Sequence, residues 1–354
     1  MPTMNTESCV KNRESISRQR TALMGFAALW VYYFHVVPVG VLEGTALEEV
    51  EWFLHRIGFC GVDMFFFLSA YGLYHGFRKR SVKSASEYGK YLGRRLLRIY
   101  PVIIPVAVII ALADNLPLRS LLSRLTFYDS FAVNIYKFLW FVPCVLVLYL
   151  LAPLYDRLFE RVRVGKDSGG SFSPLYLTVA GIVIAVVFGF LLHTTIRWDL
   201  YALVNRIPVF LLGFYFGHRD DSGKVSGKHS LWIALLVLTV GNVVSYLVNK
   251  GIWPELVPSM NALCNVLIAP PLILLLTALF TGCEKNPVSG VLPRVFAFFG
   301  VVSLEFYAVQ EWVWSKMEPL DINMTRRQVA CFLICVVAAY GLHAVCDTFR
   351  KEMA

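Results

Sequence analysis

Ten apolar blocks, at roughly residues 21–38, 52–77, 96–113, 138–156, 174–193, 201–218, 230–249, 262–281, 296–315 and 329–346, dominate the chain. Each is long enough to cross a hydrocarbon core of about 30 Å. Inside lipid every backbone N–H and C=O must bond within the protein, so blocks of this length fold as helices. A membrane β-barrel would alternate apolar and polar residues over short segments, and these blocks run continuously. The mean hydropathy of +0.60 and the 16% share of charged residues agree. The sequence predicts an all-α membrane protein, a bundle of about ten transmembrane helices occupying residues 20–347, with polar tails at 1–19 and 348–354.

Lys and Arg fix its orientation. The tails and even-numbered connections carry 23 of the 33 basic residues and the odd-numbered connections carry 8, with Arg56 and Arg206 inside helices. Basic residues stay on the cytoplasmic face, so both termini are expected inside, in a multi-pass protein of a cell membrane, the bacterial cytoplasmic membrane being the expected one. The formal charge of +9 is largely this bias and does not point to nucleic acid. The polar start runs into the first apolar block without a small-residue cleavage pattern, which predicts an uncleaved helix and no secretory signal peptide. Eight cysteines are scattered through the chain. Cys331 and Cys335 share a helix face without a second ligand pair nearby, so no metal is expected.

The connections are short, the longest lying around 78–95 inside and 114–137 outside. They leave no room for a soluble catalytic domain, so any chemistry or transport must use the bundle and its rims. Flexible linkers at 164–174 and 220–228 mark seams between helix groups, and Pro105, Pro143, Pro208, Pro270 and Pro271 predict kinks of the kind that line cavities. Trp140, Trp198, Trp253, Trp312 and Trp314 fall at or near outer helix ends, as an aromatic belt would.

An ionisable residue at membrane depth costs about 2.5–3.5 kcal/mol on insertion scales and needs a reason to be there. His35 lies about 21 Å up the first helix and Asp63 about 16 Å down the second, from a rise of 1.5 Å per residue. Neighbouring helices would let them meet, and a carboxylate beside an imidazole fixes the tautomer a general base needs. The alternative is structural: His35 hydrogen-bonded across helices and Asp63 paired with Arg56. Glu305 and Arg206 are further buried candidates that could neutralise each other. Ser69 and Tyr71 could bond a ligand or a neighbouring backbone.

Arg94, Arg95 and Arg98 stand where the basic inner connection becomes the third apolar block. If the helix has begun by Gly93, positions 94 and 98 are one turn apart and 95 and 98 three residues apart, so the guanidiniums converge. Converging arginines receive phosphate, although basic residues at an inner helix end also serve as lipid anchors.

Three stretches resemble the acyltransferase family 3 of integral membrane acyltransferases. They are LMGFAALWVYYFHV (23–36), similar to a first helix that ends in a characteristic histidine; GFCGVDMFFFLSAYGL (58–73), close to Gly-Val-Asp-x-Phe-Phe-x-x-Ser-Gly-Tyr; and YLGRRLLRIYP (91–101), similar to a paired-arginine motif. Weaker likenesses at 139–154, 205–217 and 299–309 follow in the same order. The resemblance implies transfer of an acyl group, commonly acetyl from cytoplasmic acetyl-CoA, to a hydroxyl of a cell-envelope or exported glycan. It implies that Arg94, Arg95 and Arg98 meet the phosphates of the acyl-CoA co-substrate and that His35 is the catalytic base.

The chain departs from the family at three positions. Met24 stands where many members carry Arg or Lys, with Arg20 one turn earlier; Ala70 replaces a glycine; and Gln310 replaces a histidine near the end of the SLxxY motif. Two other function classes fit the residues: a transporter of a lipid-linked sugar with His35, Asp63 and Glu305 as a proton relay, and an inactive family member that acts as an assembly partner.

Overall fold

The computed structural model describes residues 15–35, 43–128, 139–193, 198–221, 228–252 and 257–352. In chain order the helices are α1 (Ser15–His35), α2 (Glu48–Arg56), α3 (Cys60–Lys79), α4 (Ala85–Ala113), α5 (Leu118–Thr126), α6 (Phe141–Asp167), α7 (Pro174–His193), α8 (Trp198–Asp221), α9 (Lys228–Asn249), α10 (Val257–Cys283), α11 (Val291–Val301), α12 (Ser303–Met317) and α13 (Met324–Glu352). No strand occurs among the described residues, and the protein is the all-α membrane bundle that its apolar blocks predict.

Among the described residues eight helical stretches are long and apolar enough to span a membrane, or nine if the bent pair α11–α12 is counted as one span. The first expected span, 21–38, ends beyond the described part of α1 at His35. Helix α3 is the centre: every residue from Cys60 to Tyr71 is buried, and its most extensive neighbour is α8. Helices α7, α9 and α13 form the lipid-facing shell, with only 17%, 22% and 22% of their most apolar windows covered by protein.

Local chemistry starts α4 early. The Ser84 hydroxyl accepts from the Glu87 N–H at 3.2 Å and the Glu87 carboxylate accepts from the Ser84 N–H at 2.8 Å, a reciprocal cap. The helix is therefore nine residues old at Arg94. Pro101 and Pro105 lie inside α4, Pro208 inside α8, and Pro270 and Pro271 inside α10, whereas Pro143 sits in the first turn of α6, where a missing N–H costs nothing.

Three expectations change. The block 296–315 is two helices that meet at 72° around Val302, without a proline. Helix α11 runs hard against α1, and the chain then starts a fresh helix whose Phe306 N–H bonds the Val302 carbonyl at 2.8 Å. Second, part of the outer connection 114–137 is helical. Leu118, Leu121, Leu122 and Leu125 line one side of α5, none of whose residues is buried, so it lies on the surface as an amphipathic rod. Third, Trp140 is buried beneath the Arg206 guanidinium and does not sit in a lipid-facing belt. The side chains of Trp198 and Trp253 lie outside the described residues.

Two glycines set the α1–α11 crossing. A Cβ on Gly25 would fall onto the Phe296 carbonyl oxygen, and one on Gly300 onto that of Thr21. Small residues let membrane helices pack backbone to backbone, and no rotamer relieves a clash with a carbonyl. Gly25→Ala and Gly300→Ala are each expected to cost about 1–3 kcal/mol, the cost of overpacking. Gly341→Ala, where a Cβ meets open space, should leave the unfolding midpoint of the detergent-solubilised protein unchanged.

Candidate active site

Capped at Ser84, α4 carries its arginines onto one rim of the bundle, the rim that the Lys and Arg bias assigns to the cytoplasm. Arg94 and Arg98 are exposed and Arg95 is half-buried. The Arg95 guanidinium lies over the rings of Tyr91 and Tyr149, 5.4 and 5.3 Å from their centroids. A third guanidinium comes from α1: half-buried Arg20 has Arg98 and Arg95 as charged neighbours, with Tyr149 and Tyr71 beside it. Gly72 makes room for it, since a Cβ there would stand 2.8 Å from the Arg20 Nη2.

The cluster thus consists of Arg20, Arg95 and Arg98. Helical spacing puts exposed Arg94 on the same rim, one turn before Arg98, and the structure adds Arg20 to the expected grouping. That spacing took no account of α1. Arg20 and Arg95 have no carboxylate partner among the described residues, and the Arg20 Nε has no hydrogen-bond acceptor. Guanidiniums gathered at one rim can receive a polyanion.

From this cluster a narrow cavity of about 60 Å³ leads into the bundle between α1, α3, α4, α6 and α12. Arg98, Ser69 and Tyr149 give it polar groups near the rim, while Met24, Phe65 and Tyr307 line the apolar wall and deeper part. The Tyr149 hydroxyl reaches the Ser69 Oγ at 3.5 Å. Tyr71 does not line this cavity; its hydroxyl donates to the Asp220 carboxylate on α8.

His35 lies at the outer end of the described α1 and is not a lining residue. Its Nδ1 meets the Gln310 Nε2 at 3.1 Å and its Nε2 meets the Glu311 Oε1 at 3.0 Å. The two side chains His35 and Glu311 are 16% and 20% exposed, which leaves the ring reachable by a substrate. Gln310 and Glu311 follow Tyr307 by three and four residues, one helical turn, so α12 joins the cavity wall to the histidine.

His35 and Asp63 do not meet. Fully buried Asp63 pairs with Arg206 of α8, Oδ1 to Nε at 3.4 Å, a distance that brings charge compensation without a formed hydrogen bond. Arg206 in turn stacks on Trp140 at 5.0 Å. Nor does Glu305 neutralise Arg206: its carboxylate takes the His343 Nδ1 of α13 at 2.9 Å. Matching depths along two helices leave open the direction in which each side chain points around its axis, and that direction decided both pairings. The side chain of Arg56 lies outside the described residues.

Sequence reasoning missed Glu311 as the carboxylate at His35, and with it Ser303, Tyr307 and His343. The signal was available: Glu311 is a second ionisable residue within the block 296–315, and a charge at that depth asks for a partner.

An apolar bundle with an arginine-rimmed cavity and a carboxylate-backed histidine is a multi-pass membrane protein with reactive groups inside its helices. Residues 22–344, nearly the whole chain, match the model of acyltransferase family 3, described as an acyltransferase domain. The chain belongs to that family, and the protein is a membrane acyltransferase. No curated protein and no solved structure matches it.

The Asp63–Arg206 pair supports a stability experiment. Removing one partner of a buried pair leaves the other uncompensated, at a cost of about 3–5 kcal/mol. Asp63→Asn should lower the thermal midpoint accordingly, and Asp63→Leu with Arg206→Leu should recover most of the loss. An Asp63→Asn protein as stable as the parent would show that the pair carries no charge.

Proposed function

We propose that this protein transfers an acyl group, acetyl in its natural reaction, from cytoplasmic acyl-CoA to a hydroxyl of a cell-envelope or exported glycan. One observation carries the proposal: a cavity begins at Arg98, beside Arg20 and Arg95, and ends against the helix that holds the partners of His35. A donor with a phosphate-rich head and a long thin arm suits that shape. Its phosphates rest on the arginines at the cytoplasmic rim, and its arm follows the apolar wall past Met24 and Phe65 toward Tyr307. Arg94, exposed on the same rim, meets the outermost phosphate charge.

His35 is the base of this reaction. With Nε2–H donating to Glu311, Nδ1 holds the lone pair, and an acceptor hydroxyl that displaces the Gln310 amide meets it. The hydroxyl oxygen attacks the thioester carbonyl as its proton passes to Nδ1, and Glu311 supports the imidazolium that forms. The carbon–sulfur bond then breaks and the CoA thiolate leaves. Glu311 fills the place in which the sequence suggested Asp63, while Asp63 keeps α3 on α8.

Binding and turnover test the two ends separately. Arg95→Ala and Arg98→Ala should each weaken CoA binding by about tenfold or more, as loss of a charge-assisted hydrogen bond does, and Arg94→Ala should weaken it less. Affinity unchanged in the Arg20, Arg95, Arg98 triple alanine variant would refute the donor site. His35→Ala should lower acyl transfer by about 10²- to 10⁴-fold while CoA still binds. Glu311→Gln should lower kcat in the same direction and by less, and full turnover in His35→Ala would remove the histidine from the reaction.

A further inference from the structure

Two cavities away from this site meet on α8. The first is an apolar trough of about 370 Å³ between α8, α9 and α10, walled by Leu212, Phe216, Val237 and Leu274 and floored by the adjacent Pro270 and Pro271. It opens on the lipid-facing side, where Ile233 on its edge is 61% exposed. The second is a polar cavity of about 350 Å³ at the inner ends of α6 and α8 and the start of α7, lined by Lys166, Asp167, Ser173, His218 and Arg219. Tyr215 and Arg219 line both, so the trough runs into the basic cavity.

The charges at the junction differ in kind. Arg163 also lines the polar cavity, but Glu160 at 2.9 Å and Asp167 at 3.1 Å neutralise it. Lys166 has no carboxylate partner among the described residues. The cavity also faces Ser173, Pro174 and Leu175 at the start of α7, where Pro174 carries no N–H and the Leu177 N–H bonds the Ser173 carbonyl at 3.2 Å, which leaves the N–H groups of Leu175 and Tyr176 beyond the reach of any helical carbonyl. Arg163, Lys166 and Arg219 bring three positive charges to the lining of this cavity, against the one carboxylate of Asp167. The trough covers residues 212–219 of α8, a rise of about 10 Å from the inner rim, which is within one leaflet.

We propose that this pair of cavities is a binding site for an anionic phospholipid of the inner leaflet. The phosphate lies between Lys166, Arg219 and the start of α7, and one acyl chain lies in the α8–α9–α10 trough. Charge complementarity selects this occupant: an apolar trough alone would accept any lipid tail, and a basic cavity alone any phosphate, but their junction at Arg219 fits a molecule that has both. Basic pockets between membrane helices on the cytoplasmic side take anionic headgroups for the same reason. The site is separate from the arginine-rimmed cavity and does not rest on the proposed reaction.

The test uses the full chain purified in neutral detergent, with native mass spectrometry to count bound lipid and a thermal midpoint to read its effect. Phosphatidylglycerol should bind saturably and raise the midpoint, while phosphatidylcholine of the same chain length and inorganic phosphate should do neither. Lys166→Gln with Arg219→Gln should weaken phosphatidylglycerol binding by about 30-fold, from two charges worth roughly fivefold each. Ile233→Trp, at a lipid-exposed position, should obstruct the trough and reduce binding without changing the midpoint measured in detergent alone, and it carries the test if the double variant does not fold. Equal binding of phosphatidylcholine, an equal effect of inorganic phosphate, or undiminished phosphatidylglycerol binding in Ile233→Trp would overturn the proposal.

Discussion

The crossing of α1 over α11 is made by backbone against backbone, and the arrangement of the reactive groups depends on it. Gly25 and Gly300 leave no side chain between the two helices, so their axes lie as close as peptide groups allow. Helix α1 carries Arg20 toward one face and His35 toward the other, and Gly25 lies between them. Immediately after Gly300 the chain breaks at Val302 and turns by 72°, which sends α12 along the cavity wall and brings Gln310 and Glu311 to His35. A wider crossing would move both ends of α1 relative to α12.

Charges inside the bundle tie together helices that are distant in sequence. Asp63 and Arg206 join α3 to α8, Glu305 and His343 join α12 to α13, and His35 and Glu311 join α1 to α12. In hydrocarbon each of these groups would be costly alone, so each pair restricts its two helices to one rotation about their axes. Arg78 does the same at the inner rim, where it pairs with Asp156 and Glu160.

Much of this was legible in the sequence, for identifiable reasons. Block length and hydropathy reveal spanning helices because the bilayer fixes the length required, and the three motifs around His35, Asp63 and Arg94–Arg98 carry the family. Pairings were not legible: Asp63 and Arg206, or His35 and Glu311, meet through rotations about helix axes that no linear pattern encodes. The break at Val302 escaped because it has no proline, and α5 because a nine-residue amphipathic helix is too short to register as a block. Met24 is instructive. The basic residue absent there left Arg20 as an open substitute, and the structure places Met24 in the cavity wall with Arg20 one turn nearer the rim, beside Arg95 and Arg98.

The histidine is gripped at both nitrogens, by an amide on one side and a carboxylate on the other. An imidazole free to spin about its Cβ–Cγ bond would present either nitrogen, and part of every encounter with a substrate would be spent on the wrong face. In the reaction proposed above, the Glu311 contact keeps that orientation while an acceptor hydroxyl takes the place of Gln310, so the rotational entropy is surrendered during folding and not again at each turnover. The two residues that impose this order are consecutive on one helix, so the ring's orientation is set by the rotation of a single rigid segment.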